Sequence, residues 1–153
     1  MVEPTFREAE ASDLPAIVGL LADDALGSTR EDAADPLGAP YVAAFEAIRR
    51  DPNNAVLVAC LDGRVVGTLQ LTFTPSLSYH GGWRATIESV RTEAALRGRG
   101  IGGALVQHAI ARARDHGCVL VQLSSHASRT DARRFYERLG FHATHVGMKL
   151  PLR

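Results

Sequence analysis

The chain has 153 residues, 46% of them hydrophobic, which is enough to bury one core, and we predict a single domain over residues 1–153. Its 17 basic and 17 acidic side chains give a formal net charge of zero, which offers no electrostatic support for binding nucleic acid or an anionic membrane. No apolar run is long enough to span a bilayer and the N-terminus lacks a signal-peptide pattern, so we expect a cytoplasmic protein.

The first third of the chain predicts one strand and two helices. The apolar residues recur at helical spacing in one segment, and Pro and Gly mark a long connection. The predicted segments are a strand at Thr5–Glu8, a helix capped by Ser12 or Asp13 with Leu14, Ile17, Val18 and Leu21 on one face, a loop at Gly27–Pro40, and a helix at Tyr41–Arg50.

A β-hairpin is predicted in the middle of the chain. Ala55–Leu61 is an apolar, strand-like run, and Asp62-Gly63 is a strong two-residue turn signal. The return strand, from Val65 to Thr74, alternates apolar and polar residues, which is typical of a sheet with one wetter face. A loop then leads to a further strand at Arg84–Thr92.

The last part of the chain begins with a predicted β-α-β unit. An amphipathic helix starts at Ile101 and stops at Gly117. The continuous apolar run Cys118–Leu123 follows almost without a loop, as expected of a parallel strand covered on both faces.

A final helix and an edge strand are predicted beyond this unit. Ser128 and Asp131 resemble a capping box for a helix that ends at Gly140. Val146–Leu150 is predicted to be a closing edge strand, and an exposed edge there would allow a homodimer to form.

The cysteines and histidines do not form a metal-binding pattern. Cys60 and Cys118 lie far apart, each within an apolar run, which is typical of reduced core thiols. His142 and His145 have HxxH spacing, but no acidic or cysteine ligand nearby completes a set. We therefore expect no metal.

Four glycines stand at the start of the helix that begins at Ile101. A helix N-terminus binds phosphate well if the backbone can come close, and glycine removes the side chains that block it. A P-loop is excluded because neither lysine nor a hydroxyl residue follows the glycines. The letters GxGxxG are present, but a dinucleotide site is disfavoured because five residues separate the glycines from the strand and the next strand ends without an acid.

The third possibility is a cradle for the pyrophosphate of coenzyme A. Arg97-x-x-Gly100-x-Gly102 matches the Q/R-x-x-G-x-G/A signature of the GNAT N-acetyltransferase family. The flanking stretch "IESVRTEAALRGRGIGGAL" resembles the family's fourth strand and third helix, and "ARRFYERLGF" resembles its tyrosine-bearing fourth helix. The order of elements also fits, so the chain resembles this family over essentially its whole length.

The resemblance implies an α/β (α+β) fold: a mixed, mostly antiparallel sheet flanked by helices, whose central parallel strand pair splays to hold acetyl-CoA. The residues that it implies for the donor are Val90, Arg91, Thr92, Arg97, Gly98, Arg99, Gly100, Ile101, Gly102, Gly103 and Arg129. The first three would hold the acetyl and pantetheine groups, and the run 97–103 would bind the phosphates. Arg129 departs from the family, in which many members have asparagine, so its contact is open.

Glu88 is the candidate general base. It lies within the strand, four residues before Thr92, and by simple alternation shares a face with Val90 and Thr92. A carboxylate inside a strand is costly unless it has a partner or a chemical role, so a base acting through a water molecule and an ion pair with Arg84 or Arg91 both remain open.

Tyr136 is the candidate acid, at the position where many family members carry the tyrosine that protonates the CoA sulfur. The alternative is a core aromatic side chain beside Phe135. The backbone N–H near Val90 is the expected donor to the thioester carbonyl. The resemblance implies an acceptor pocket built from the first two helices and the loop at Pro75–Trp83. Tyr79, His80 and Trp83 in that loop are the candidate acceptor-binding residues, since aromatic side chains can stack on an amine, and His80 is an alternative base.

The function predicted from these residues is acetyl transfer from acetyl-CoA to a primary amine of a small molecule. Direct attack in a ternary complex is expected, because no cysteine is placed beside a histidine as an acyl carrier. Two alternatives stay open: an acetyltransferase acting on a protein N-terminus or lysine, and a module that binds acyl-CoA without turnover. No nucleic-acid or membrane partner is expected.

Overall fold

One mixed β-sheet organises the chain, and the computed structural model describes residues 3–153. Its strands, in chain order and in spatial order, are Thr5–Glu8 (β1), Asn54–Leu61 (β2), Arg64–Pro75 (β3), Trp83–Thr92 (β4) and Cys118–Leu123 (β5). β1 to β4 are antiparallel neighbours, whereas β4 and β5 run parallel. This mostly antiparallel sheet, flanked by helices, confirms the predicted fold class.

Six α-helical segments accompany the strands among the described residues. They are Leu14–Ala22 (α1), Gly27–Arg30 (α2), Ala39–Arg50 (α3), Ser78–Gly81 (α4), Ile101–Asp115 (α5) and Thr130–Arg138 (α6). The region predicted to be a loop thus contains α2, and α3 begins before the predicted Tyr41. Pro40 lies in the first turn of α3, where its missing N–H group costs no hydrogen bond.

The two faces of the sheet carry different helices. Leu105 of α5 lies against the position of Gly67 in β3, so the strand residues that share this face, such as Leu57 and Leu69, belong to the α5 side. On the opposite face Val58 packs against Ile17 of α1. Because side chains alternate along a strand, the fully buried residues of β2 and β3 fill both layers.

The predicted hairpin turn between β2 and β3 is confirmed. Asp62 has φ 52° and Gly63 has φ 75°, which are the positive values that a type I′ turn needs at both central residues. This turn fixes the register of β2 against β3 and so places the residues of β3 that face β4.

Residue contacts divide the chain into two units, one ending at Gln122 and one comprising Leu123–Arg153. Each is described by itself, and the single domain predicted over residues 1–153 stays a prediction. Among the described strands of the first unit, β5 lies at the edge of the sheet. The prediction that β5 is covered on both faces is wrong, because Val119 is 53% exposed at this edge.

The second unit contains α6 and an extended C-terminal segment. Ser128 does not cap α6, because its hydroxyl pairs with Nδ1 of His126 at 2.7 Å, whereas Gly140, with φ 99°, ends the helix as predicted. The strand predicted at Val146–Leu150 is not formed among the described residues. The apolar side chains there are 83–91% exposed at every second position: Val146, Met148, Leu150 and Leu152.

The sequence predicts that Ser12 or Asp13 caps α1, but the Asp13 side chain makes no capping hydrogen bond. It instead connects the start of α1 to β1. Its carboxylate accepts hydrogen bonds from Arg7 at 2.6 and 3.0 Å and from the backbone N–H of Glu10 at 2.8 Å. The hydrogen bond from Arg7 holds the pKa of Asp13 below its ordinary value, against the opposing effect of burial. This interaction anchors α1 over the sheet.

We predict that Asp13→Asn lowers the free energy of unfolding by about 1.5–3 kcal/mol at pH 7, the range for hydrogen bonds to charged groups. Because the folded-state pKa is lowered, this stabilisation is fully present above the unfolded pKa, about 3.9, and disappears as pH falls through the folded pKa. Urea unfolding at pH 7 and at acid pH measures it. Glu46→Gln is the control, since the Glu46–Arg49 pair is exposed and should contribute less than about 0.5 kcal/mol. An equal loss at both pH values would contradict the prediction.

Candidate active site

A β-bulge interrupts β4 halfway along its length. Gln70 of β3 faces Glu88, and two residues further back Thr68 faces Arg91, so Ser89 and Val90 together oppose a single residue of β3. Ser89 has φ 56°, in the left-handed region that L-residues seldom occupy. A bulge of this kind bends the strand and redirects backbone groups and side chains next to it.

The bulge changes which side chains of β4 share a face. The extra residue shifts the alternation, so Glu88 lies on the same face as Arg91, and Thr92, opposite Gly67, lies on the other. The expectation that Glu88, Val90 and Thr92 share one face is therefore wrong. Through Gln70 and its neighbour Val56, Glu88 belongs to the face covered by α1 and α3.

Glu88 and Arg91 have different surroundings. Glu88 is exposed, so the desolvation cost expected for a carboxylate inside a strand does not apply to it. Arg91 is largely buried and pairs with Asp24 at 2.9 Å, with side-chain exposures of 11% and 18%. Arg91 also donates a hydrogen bond to the carbonyl of Val90 at 2.9 Å. The Asp24 pair thus ties the end of β4 to the segment after α1.

The second half of β4 extends beyond the end of β5. The Gln122 side chain donates to the Thr86 hydroxyl at 3.1 Å, which fixes the alignment of the two strands. One residue later β5 ends, at Leu123, whereas β4 continues to Thr92. The last residues of β4 therefore pair with β3 on one side and run past the end of β5 on the other. A strand edge of this kind can pair with an extended ligand.

The glycine loop connects β4 to α5. After a 3-10 turn at Ala94–Leu96, Gly98 and Gly100 have φ of 82° and 83°, and Gly100 is the N-cap of α5 without a side-chain cap. A Cβ at either glycine would meet nothing within 4 Å, so the backbone angle, and not crowding, requires glycine here. The run from Arg97 to Gly100 is exposed, and the first turn of α5 offers N–H groups suited to an anion.

An apolar cavity of about 140 Å³ lies beside the bulge, between the sheet and the helices α1 and α3. Ser89 lines it, together with side chains from α1, α3, β2 and β3. Ala44 and Ser89 are exposed, so the cavity reaches the protein surface at these residues. Its walls come from five separate segments, so no local sequence pattern marks the cavity. The family resemblance did imply an acceptor pocket built in part from the first two predicted helices, which are α1 and α3 here.

The candidate acceptor residues Tyr79, His80 and Trp83 lie at the other end of β4. Tyr79 and His80 form the short helical turn α4, are exposed and have positive φ. Trp83 begins β4 and packs edge-on against His116, with 5.1 Å between ring centroids. None of the three lines the cavity beside Ser89. Their role in acceptor binding stays a prediction.

Tyr136 and Arg129 belong to the second unit. Arg129 is half-buried at the N-cap of α6. The Tyr136 ring is half-buried and makes edge contacts with Phe135 and Phe141, at centroid distances of 4.9 and 5.8 Å. The aromatic packing that was the alternative to catalysis thus exists, and it also holds the phenol ring in place. A role in proton transfer stays a prediction.

The two cysteines of the chain lie in different surroundings. Both are free thiols; Cys60 is buried, and burial raises the pKa of the Cys118 thiol. Among residues 3–153 no cluster of three or more His, Cys, Asp or Glu side chains is arranged to hold a metal ion. Within the same residues, no helix is both long and apolar enough to span a bilayer.

The mixed sheet, with a bulged β4 that extends beyond β5 and leads to the glycine loop of α5, matches the fold of GNAT acetyltransferases. The sequence profile of the Acetyltransferase (GNAT) family matches residues 20–141, which is most of the chain. The chain therefore belongs to the GNAT acetyltransferase family, as the sequence signature implied.

Three known proteins show what the chain is similar to. A solved structure from Bacillus halodurans C-125, described as a transcriptional regulator, is 53% identical, covers 98% of this chain and 100% of its own, and superimposes with a TM-score of 0.96. The glucosamine 6-phosphate N-acetyltransferase of Trypanosoma brucei brucei is 32% identical over 99% of this chain and 98% of its own. The aminoalkylphosphonate N-acetyltransferase of Salmonella typhimurium is 36% identical over 66% of this chain and 65% of its own.

Proposed function

We propose that the protein transfers the acetyl group of acetyl-CoA to a primary amine of a small molecule by direct attack in a ternary complex. The observation that carries the proposal is the continuous path from the bulge at Ser89, along the part of β4 beyond the end of β5, to the N-terminus of α5. Such a path suits a ligand with a reactive group at one end, a peptide-like arm and a pyrophosphate at the other.

Donor binding is assigned to backbone groups along this path. Val90, Arg91 and Thr92 are proposed to hold the acetyl and pantetheine groups, whose amides pair with strand edges as a peptide does. The run from Arg97 to Gly103 supplies N–H groups to the phosphates, helped by the helix dipole. Arg129 is proposed to contact the same donor.

Acetyl transfer requires three proton and charge movements, each of which has a candidate group. The amine nitrogen attacks the thioester carbonyl carbon, and a backbone N–H beside Val90 stabilises the oxyanion that forms. Glu88 receives the proton that the amine loses, directly or through water. The carbon–sulfur bond then breaks, and Tyr136 donates a proton to the leaving thiolate. A direct route is favoured because the thiol of Cys118 is held protonated and Cys60 is buried.

A small-molecule acceptor is favoured by the relatives. The enzymes from T. brucei brucei and S. typhimurium are named for small amines, glucosamine 6-phosphate and aminoalkylphosphonates. A net charge of zero gives no steering towards basic peptides, which makes a protein acceptor the less favoured alternative.

A regulatory role is the second candidate, because the 53% identical relative is described as a transcriptional regulator. Binding to DNA depends on phosphate contacts from basic side chains, and this chain carries as many acidic as basic ones. A regulator that acts by binding acetyl-CoA needs no such basic side chains. Binding of acetyl-CoA without acetyl transfer would favour this regulatory role.

The C-terminal segment is proposed to form a homodimer. It presents four exposed apolar side chains with strand periodicity, and the same chain has an edge strand, β5, with Val119 exposed. Each copy thus has an unpaired strand edge and a strand-like segment. In a twofold dimer, the C-terminal segment of each copy would pair with the β5 edge of the other.

We predict that acetyl-CoA and CoA raise the melting temperature by about 5–10 °C at 100 times their Kd, whereas NAD and ATP do not, because a ligand of the folded state stabilises it by mass action. Thermal unfolding with each ligand measures this. Gly102→Val places a branched side chain in the first turn of α5 and should abolish the shift without lowering the melting temperature of the free protein by more than a few degrees. Stabilisation by NAD, or by none of the four ligands, would contradict donor binding.

We predict that Glu88→Gln and Tyr136→Phe each lower kcat by roughly 100-fold, the lower range for general acid–base catalysis. The loss in Glu88→Gln should shrink as pH rises, because the amine then deprotonates without a base. Phenylalanine keeps the ring contacts of Tyr136 with Phe135 and Phe141, so Tyr136→Phe removes only the hydroxyl. Steady-state release of CoA measures both, with Glu137→Gln on the exposed face of α6 as the control. Unchanged turnover in both variants would refute the assigned roles.

We predict that light scattering gives twice the chain mass of 16.4 kDa, because burial of the exposed apolar segment favours association. Met148→Asp should give the single-chain mass, since a carboxylate in the buried interface is unfavourable. Leu77→Asp, at another apolar side chain that is 99% exposed, is the matched control and should leave the mass of the pair unchanged. A wild-type protein of single-chain mass would exclude this dimer.

A further inference from the structure

We infer that the acceptor amine carries a small apolar body and no phosphate, and that this body occupies the cavity beside Ser89. The inference rests on the proposed acetyl transfer and adds the chemical class of the acceptor to it.

The walls of the cavity are almost entirely apolar. Ile17 and Leu21 of α1 and Ala44 and Ile48 of α3 contribute to them, and no lysine, arginine or histidine does. A ligand body in this cavity therefore meets hydrocarbon on most sides, which favours an apolar group over a hydrated one.

Three of the polar side chains in the wall donate hydrogen bonds within the protein. The Tyr41 hydroxyl donates to the Glu31 carboxylate at 3.0 Å. The Thr68 hydroxyl donates to the carbonyl of Leu57 at 3.1 Å, and the Gln70 amide donates to the Asn54 side chain at 3.1 Å. A ligand with many hydroxyl groups, such as a sugar, would bury polar groups next to walls that offer few partners, and this is costly. The wall chemistry thus disfavours a sugar amine as well as a phosphorylated one.

The size of the cavity limits the body to about one ring. Its volume is about 140 Å³, and an apolar cavity of about 150 Å³ accommodates benzene. A phenyl group or a short branched alkyl group fits this space.

Charge near the cavity argues against a phosphate. Arg91 lies on the same face of β4, but it is paired with Asp24, a carboxylate that is itself largely buried. A phosphate dianion approaching Arg91 would meet the charge of Asp24, and the two anions would repel each other. The inferred acceptor therefore differs from the compounds for which the two curated relatives are named, glucosamine 6-phosphate and aminoalkylphosphonates.

The position of the cavity matches the proposed chemistry. Ser89 lines it, and Glu88 and Val90 are the residues on either side of Ser89 in the bulge. An apolar body seated in the cavity therefore leaves its amino group at the rim, next to the proposed base and the proposed oxyanion donor.

The test compares 2-phenylethylamine with glucosamine 6-phosphate, 2-aminoethylphosphonate and ethylamine as acceptors, by release of CoA from acetyl-CoA. We expect kcat/KM for 2-phenylethylamine to exceed that of each of the other three by at least tenfold. Faster acetylation of either phosphorus-containing amine, or no acetylation of 2-phenylethylamine, would overturn the inference. Turnover with a phosphorylated amine would leave the proposed function standing, whereas absence of both turnover and stabilisation by acetyl-CoA would refute the proposed function itself.

A matched pair of variants on α3 tests the location. Ala44→Leu fills the cavity, and we expect it to lower kcat/KM for 2-phenylethylamine by roughly tenfold, mainly through KM, with less than a twofold effect for ethylamine. Ala43→Leu adds the same volume at an exposed position of α3 that does not line the cavity, and should change neither substrate. Melting temperatures of both variants exclude a folding defect as the cause. Equal effects of the two variants, or of Ala44→Leu on the two amines, would place the acceptor elsewhere.

Discussion

The left-handed backbone of Ser89 is the constraint from which the candidate site follows. A non-glycine residue in this conformation costs of the order of 1–3 kcal/mol and persists only when its surroundings hold it there. Here the antiparallel ladder with β3 resumes on both sides of Ser89, at Glu88 and at Arg91, and Arg91 is further held by Asp24. The sheet thus stabilises a local distortion that an isolated strand would relax.

The bulge at Ser89 divides β4 into a half that packs in the core and a half that is proposed to bind the donor. Before the bulge, β4 is an ordinary member of the sheet, with Ala85 and Ile87 buried in the core. After it, the strand runs past the end of β5 and leads to the glycine loop, and this is the stretch proposed to bind the donor. The change of side-chain alternation at the same point places Arg91, rather than Thr92, on the face of Glu88, which is the α1 and α3 side. The rigid half positions the half that is proposed to bind.

Features encoded by local sequence could be predicted, and features created by pairing could not. The Asp62-Gly63 turn, the start of α5 after Gly100 and its end before Gly117 each follow from a residue preference that acts over a few positions. The bulge leaves no such mark, because serine has no preference for positive φ and the extra residue is visible only in the register against β3. Strict alternation therefore gave the wrong face for Thr92. The strand predicted at Val146–Leu150 is absent for a related reason. Its alternating apolar residues fit a strand pattern, but a strand also needs a neighbouring strand with which to pair.

The proposed donor site could be predicted from local sequence, whereas the proposed acceptor site could not. The donor is assigned to backbone groups, and a backbone that must adopt positive φ or expose a helix N-terminus is visible in the sequence as glycine at defined spacing. The acceptor is assigned to side chains from α1, α3 and three strands, which lie up to 75 residues apart, from Leu14 to Ser89. Single substitutions such as that of Ala44 can alter the volume or polarity of this wall without disturbing the strand that carries the donor. Acceptor choice can therefore differ from that of relatives at 32–36% identity while the acetyl-transfer machinery stays the same. For this reason the apolar wall beside Ser89, and not the glycine signature, is the part of the molecule that we propose selects the amine.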